Sequence, residues 1–449
     1  MLRPTRARLT RACAAVTAAA SIALLAGACT GQGGTRADDD PNKPVTINFW
    51  HGWSAPSEVK AVNAAIAGFE KAHPAIHVHA VANVNDDKVN QALRTSGPDA
   101  PDVISSFSTD NVGGFCHSGA LTDLTPFLKK SGIDPRRTFP KPMLDYTAYQ
   151  GVRCTLPLLG DAYGLYYNKD AFKAAGIQEP PKTWSQFKAD AVKLTKTSGD
   201  KYSQLGFMPD FHGYETRPSH YVAQWNPVYF DAQGKAQLAK DPSFGKMFTF
   251  QKDLVDSLGG YAKLEKYRNT FGDEYGSKNP FHTGQVAMSL DGEWRLGMAE
   301  AAGVKFPIGV APLPVPDDQA STYGKGYITG TIIGVAAHSA KQNAAWEFVK
   351  YLTTDTDAVV NFANGIHNVP STLAALDSPK LVADPGFRTF LDIARNPRSS
   401  TTPASPNGGQ YITSMEDFAY SYESGRTTDL AGGLARLDAQ IDRDTAQAK

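Results

Sequence analysis

Apolar residues alternate at Val45, Ile47 and Phe49, which predicts a strand. The period then changes. Val59, Val62, Ile66 and Phe69 recur at three- and four-residue steps, one face of a helix that Ser57 can cap and His73-Pro74 stops. Ile76, Val78 and Val81 predict a second strand, and about Asp87 to Arg94 a short helix. Pro101-Asp102 opens a third, buried strand from Val103 to Phe107. This alternation with short loops argues for a parallel sheet in an α/β fold. Farther on, Asn168 can cap a helix that passes Phe172 and ends at Gly176, and Thr183-Trp184-Ser185-Gln186 reads as a capping box before Phe187, Ala191 and Leu194. Helices over about Phe244 to Ser257, Asn343 to Leu352 and Leu430 to Ala448, and strands over Gln285 to Leu290 and Ile328 to Ala337, complete the pattern.

The first residues follow another rule. Arg3, Arg6, Arg8 and Arg11 precede an apolar, alanine-rich run from about Ala12 to Leu25, and Leu25-Ala26-Gly27-Ala28-Cys29 closes it. A basic head, an apolar stretch and small residues before a cut describe an export signal. The run is too short for a spanning helix, which needs roughly 20 strongly apolar residues. With a cysteine at the cut, the segment resembles a bacterial lipoprotein signal. That resemblance implies a signal peptide over 1–28, acyl chains on Cys29, and a mature chain anchored to the cell membrane on its extracytoplasmic side. The Gly/Thr/Asp-rich stretch 29–43 reads as a flexible tether.

Loss of 28 residues and four arginines turns 45 basic and 45 acidic residues into 41 and 45, a mild negative balance that gives no support for nucleic-acid binding. About 400 ordered residues exceed one ordinary core, so two domains are expected. Of four cysteines, Cys13 leaves with the signal and Cys29 would carry lipid. Outside the cell the remaining pair, Cys116 and Cys154, favours one disulfide, with two separate buried thiols as the alternative.

Several blocks in order carry a wider likeness: Thr46-Ile47-Asn48-Phe49-Trp50-His51, Pro101-Asp102-Val103, Gly119-Ala120-Leu121-Thr122-Asp123-Leu124, Leu156-Pro157 with Asp161 and Gly164-Leu165-Tyr166-Tyr167-Asn168-Lys169-Asp170, Gly292-Glu293-Trp294, and Ala344-Ala345-Trp346-Glu347-Phe348. From about Val45 onward the chain resembles the extracellular solute-binding proteins of ABC importers, in the branch that binds sugars and related polar solutes. The resemblance implies a two-lobed α/β fold of the type II periplasmic-binding-protein kind, each lobe a mainly parallel sheet flanked by helices. It implies an N-lobe of 44–115 with 333–372 and a C-lobe of 116–332 with 373–449. The lobes would close on a solute like a hinged trap, because contacts from both exist only in the closed state. The implied partners are a mono- or oligosaccharide, the importer's permease subunits and, through Cys29, the membrane. The protein would be a monomer without cofactor, metal or catalysis. Cys116 and Cys154 depart from the family's pattern and would staple the C-lobe.

A sugar site needs flat aromatic platforms and planar polar side chains in a concave cleft. His51 and Trp53 follow the first strand, where loops line crevices in α/β sheets. Ser108 and Asp110 end the third strand near the first crossover. Asp161 could accept two hydroxyls through charge-assisted bonds, with Tyr163 beside it. Trp225 and Asn226 share a loop near Pro227, and Glu293 and Trp294 follow a strand. Gly330 and Thr331 lie at the second crossover, where a glycine lets backbone approach a ligand. Trp184 and Trp346 read as packing. Asp86 and Asp87 read as acids at a helix start.

Three rivals are weaker. A glycoside hydrolase needs paired carboxylates; Asp161, Asp291 and Glu293 are candidates with no motif around them. His73, His77 and His79 read as an exposed strand edge rather than a metal site. A glycerophosphodiester would need converging cations, for which Lys325 and Arg295 are the nearest candidates.

Overall fold

The computed structural model describes residues 39–95 and 97–448. The signal segment and Cys29 lie outside the described residues. The tether's last part does not: the Asp39 carboxylate accepts from the Asn343 backbone N–H at 2.6 Å, and Asn343 Nδ2 donates to the Asp39 carbonyl at 2.9 Å. Among the described residues no helix is long and apolar enough to cross a membrane.

The first three strands form where alternation placed them, as β1 (Val45–Trp50), β2 (Ile76–Val81) and β3 (Val103–Ser106). Both β2 and β3 run parallel to β1. Parallel order stops there. β9 (Ile328–Val335) is antiparallel to β3, and β4 (Leu156–Asn168) is antiparallel to β9. β10 (Val369–Pro370) pairs with the first half of β4, whereas β7 (Met288–Gly292) and β8 (Ile308–Ala311) pair with its second half, all antiparallel. The physical reason is length. Thirteen residues of β4 span about 40 Å, so one strand serves both lobes, and neighbours that return directly beside it need no parallel crossover. β5 (Lys196–Ser198) and β6 (Lys201–Gln204) make a separate ribbon.

Helices bury the predicted faces. Val62, Ile66 and Phe69 of Pro56–Ala72 join Trp346, Val349 and Leu352 of Gln342–Thr354 in one core around Ile47 and Phe49. Leu124, Leu128, Phe139 and Leu144 pack into the same core. Phe187, Ala191 and Leu194 of Trp184–Leu194 join a second core with Phe207, Phe244 and Phe248. Two caps differ from expectation. Ala55, not Ser57, precedes the first helix, because Pro56 takes its first position and Glu58 accepts the Ala55 N–H at 3.1 Å. Gln186 accepts from Lys182 N at 2.9 Å rather than from Thr183. β2 is the sheet's edge and exposes His77, as expected. Cys116, in the helix Asn111–Ser118, is disulfide-bonded to Cys154 with Cα atoms 5.4 Å apart.

Candidate functional site

Because β1, β2 and β3 run the same way, the loops after them meet along one edge. Gly52, Asn83, Asn85, Asp86, Ser106 and Phe107 line a hollow of about 250 Å³ there. Phe107 is 47% exposed and presents an aromatic face. A Cβ on Gly52 would stand 2.5 Å from the Phe107 ring, so glycine is what admits it. Trp53 is buried behind, edge-on to Phe107 at 5.4 Å and to Phe362 at 5.3 Å. His51 is buried too, and burial drops its pKa to about 4, leaving a neutral imidazole. Asp86 lines the hollow; burial raises its pKa, while hydrogen bonds from Ser106 and Asn111 lower it.

The facing wall comes from the second lobe. Tyr163 on β4 is the centre of an aromatic group: His220 lies 4.2 Å away, Tyr327 5.5 Å and Trp294 5.6 Å edge-on. Tyr214 stands 5.9 Å from His220, with the Arg217 guanidinium 4.4 Å above its ring. Burial holds His220 neutral, with its pKa near 3. The walls meet at a void of about 20 Å³, room for about one water. Phe107, Ser108 and Asp110 line it from one side, Tyr214, Arg217 and Tyr327 from the other. Burial lifts Asp110 to about 6, against the pull of Arg217. Arg217 itself is paired with Glu416 at 2.9 Å.

Behind this contact, Asp161 accepts from Asn368 Nδ2 at 2.9 Å, and burial lifts it to about 7. Glu293 is buried. One oxygen accepts the Ala162 N–H at 3.0 Å and the other has no partner. Burial, then the Asp161 charge, raise its pKa well above the carboxylate range.

Ser108, Asp110, Asp161, Tyr163, Glu293 and Trp294 thus gather at or behind the cleft. Others do not. Trp53 supports Phe107 from beneath. Trp225 stacks on Trp184, ring centroids 5.2 Å apart and 5° from parallel, inside the second core, with Phe250 6.3 Å away. Asn226 beside it is exposed and accepts from Lys325 Nζ at 2.9 Å. Gly330 and Thr331 are buried opposite Gly160 and Leu159 in the strand pair. A Cβ on Gly330 would stand 2.3 Å from the Leu159 carbonyl and 2.7 Å from the Tyr146 hydroxyl, so the glycine admits the chain itself rather than a ligand. Phe107, Tyr214, Arg217, His220 and Tyr327 were not singled out from sequence. The nearest signal was a loop between Pro209 and Pro218 holding Gly213, an aromatic and an arginine.

Strands shared between two cores, and facing walls where those cores meet, define a two-lobed solute trap. The chain belongs to the bacterial extracellular solute-binding protein family, whose model matches residues 55–359, and membership places it outside the cytoplasm. It is 24% identical to the maltotriose-binding protein of Pyrococcus abyssi over 368 residues, 81% of this chain and 74% of that one. To the sn-glycerol-3-phosphate-binding periplasmic protein of Brucella abortus it is 25% identical over 342 residues, 74% of this chain and 76% of that one. The structure of the sugar-binding protein MalE from Xanthomonas citri superposes with a TM-score of 0.74 at 21% identity, covering 90% of this chain and 98% of that one.

Proposed function

We propose that this chain is the capture component of an ABC importer, anchored by lipid on Cys29, and that it takes an uncharged mono- or oligosaccharide between its lobes and delivers it to the permease. One observation carries the reading. The rings of Phe107 and Tyr214 stand with the carboxylate of Asp110 where the two walls meet, Asp86 lines the adjoining hollow, and Trp294 and Asp161 lie behind, beside Tyr163 and Asn368. Rings stack on the apolar faces of a sugar, and carboxylates accept its hydroxyls. The void between the walls is far smaller than a sugar, so entry requires the lobes to part and capture requires them to close. The hinge is assigned to β4 near Leu159–Ala162 and β9 near Ile328–Thr331, where strand partners change from one lobe to the other. With Leu124, Leu128, Phe139 and Leu144 in the first core, we count their segment with the N-lobe rather than the C-lobe.

A phosphate-bearing ligand is disfavoured by charge. Arg217, at the void, is held by Glu416. The two other cations considered for it are also engaged: Arg295 bonds Asp291 at 2.6 Å and Lys325 bonds Asn226. Membership of a solute-binding family supports capture rather than turnover. The test is calorimetric titration of the soluble form with neutral oligosaccharides, sn-glycerol 3-phosphate and a glycerophosphodiester. Sub-millimolar binding of a neutral sugar alone is expected. Binding of the phosphates alone would overturn the reading. Replacing Cys29 by alanine should move the protein from the membrane fraction to the medium.

A further inference from the structure

The second lobe holds another cavity, of about 280 Å³. The loop 213–217 separates the two sites: Gly213, Glu215 and Thr216 line this cavity, whereas Tyr214 and Arg217 line the cleft void. Its floor is apolar, with Phe207, Phe271, Met288 and Leu290. Its charge is not balanced. Four carboxylates, Asp210, Glu215, Glu274 and Asp291, line it with one guanidinium, Arg268. Most of these acids are occupied. Asp210 pairs with Arg268 at 3.3 Å and Asp291 with Arg295 at 2.6 Å. Glu274 accepts the backbone N–H groups of Tyr214 at 3.2 Å and Glu215 at 3.3 Å.

Glu215 is the exception. Its side chain is 1% exposed; one oxygen accepts from the Tyr275 hydroxyl at 3.0 Å, and the other has no partner. A buried acceptor left without a donor costs about 1–3 kcal/mol, more when charged. Among the described residues no three acidic, histidine or cysteine groups are close enough to hold a metal ion. Dispersed acids around an apolar floor suit a cation whose N–H groups fan outward from a carbon body.

We propose that this cavity is a second binding site, for a small organic ammonium or guanidinium ion, with Glu215 as its anchoring carboxylate. Burial and the charges of Asp291 and Glu274 raise the Glu215 pKa well above the usual carboxylate value, against the hydrogen bond from Tyr275 and the pull of Arg295. Tyr163 and Tyr166 feel the same carboxylate from β4. An entering cation favours the ionised carboxylate, and a proton displaced from it leaves to solvent. The occupant would also brace the loop that shows Tyr214 to the cleft. That link to sugar capture rests on the function proposed above; the cation site does not.

The probes are methylammonium, putrescine and guanidinium, titrated by calorimetry into the sugar-free protein in phosphate and in HEPES. Binding of at least one with a dissociation constant below about 10 mM is expected, with a heat that differs between the two buffers and an affinity that rises as pH rises. Glu215→Gln keeps an acceptor for Tyr275 and removes the ionisable group, and should cut the affinity at least about tenfold while leaving the melting temperature and the sugar titration in place. Glu274→Gln, which keeps an acceptor for the loop, gives an independent second reduction. Absence of binding by all three cations in the wild-type protein overturns the proposal, as does binding that Glu215→Gln leaves unchanged.

Discussion

Removing the Cys116–Cys154 bond should cost about 4 kcal/mol. The bond closes a loop of sequence separation 38, and loop-closure entropy for that length comes to about 13 cal/mol/K, or about 4 kcal/mol at room temperature. Nothing inside the loop replaces it cheaply. Its helices, Thr125–Lys130, Pro135–Thr138 and Lys141–Asp145, are four to six residues long, too short to persist by themselves. For a chain of roughly 400 residues unfolding as one unit, 4 kcal/mol lowers the melting temperature by roughly 4–5 °C. The assay is scanning calorimetry on Cys116→Ala, Cys154→Ala and the double variant. Because either single change breaks the same bond, the three should lose nearly the same amount. Losses that simply add would mean two independent buried residues rather than one link. Two titratable thiols in the unreduced wild-type protein would also refute the reasoning.

Two further outcomes are expected. Trp294→Ala and Tyr214→Ala should each weaken sugar binding by about tenfold to a hundredfold in calorimetric titration, each removing one ring face; unchanged affinity in both would remove the aromatic wall from the site. Burial raises Asp161 and Asp291 to about 7, so the folded protein binds protons that the unfolded chain releases above about pH 4. Their contribution to stability is complete below about pH 4 and is lost as pH rises through about 7. The melting temperature should therefore rise between pH 7.5 and 5.5, by the equivalent of about 2 kcal/mol for Asp161 alone, and Asp161→Asn should flatten that rise; an identical profile in the variant would sink the assignment.

The first lobe was legible because it obeys two periods. Val45, Ile47 and Phe49 alternate, Val62, Ile66 and Phe69 follow a helical step, and both faces are buried where the pattern put them. β4 hid its double role, since a strand buried along nearly all its length carries no mark of where one set of partners gives way to another. Strand ends pointed to Ser108 and Asp110, which line the void between the walls. Side-chain direction was not readable. Trp53 and Phe107 both follow strands, yet only the second turns its ring outward, and that choice depends on Gly52 leaving room. Trp225 looked like a loop aromatic until Trp184, far off in sequence, covered its face. Tyr214, Arg217 and His220 lie in a stretch without hydrophobic rhythm, where only three-dimensional neighbours give each residue its task.

The contact between Asp39 and Asn343 sets a leash. Asp39 is ten residue steps from Cys29, which fully extended reach at most about 35 Å. With the lipid proposed on Cys29, a pull from the bilayer would reach the first lobe at one spot, the start of the helix Gln342–Thr354 where Asp39 is fastened, and the second lobe would be the one free to swing. A receptor on so short a leash would sweep a layer about as deep as its own width, and would meet a permease by sliding in two dimensions rather than by searching a volume.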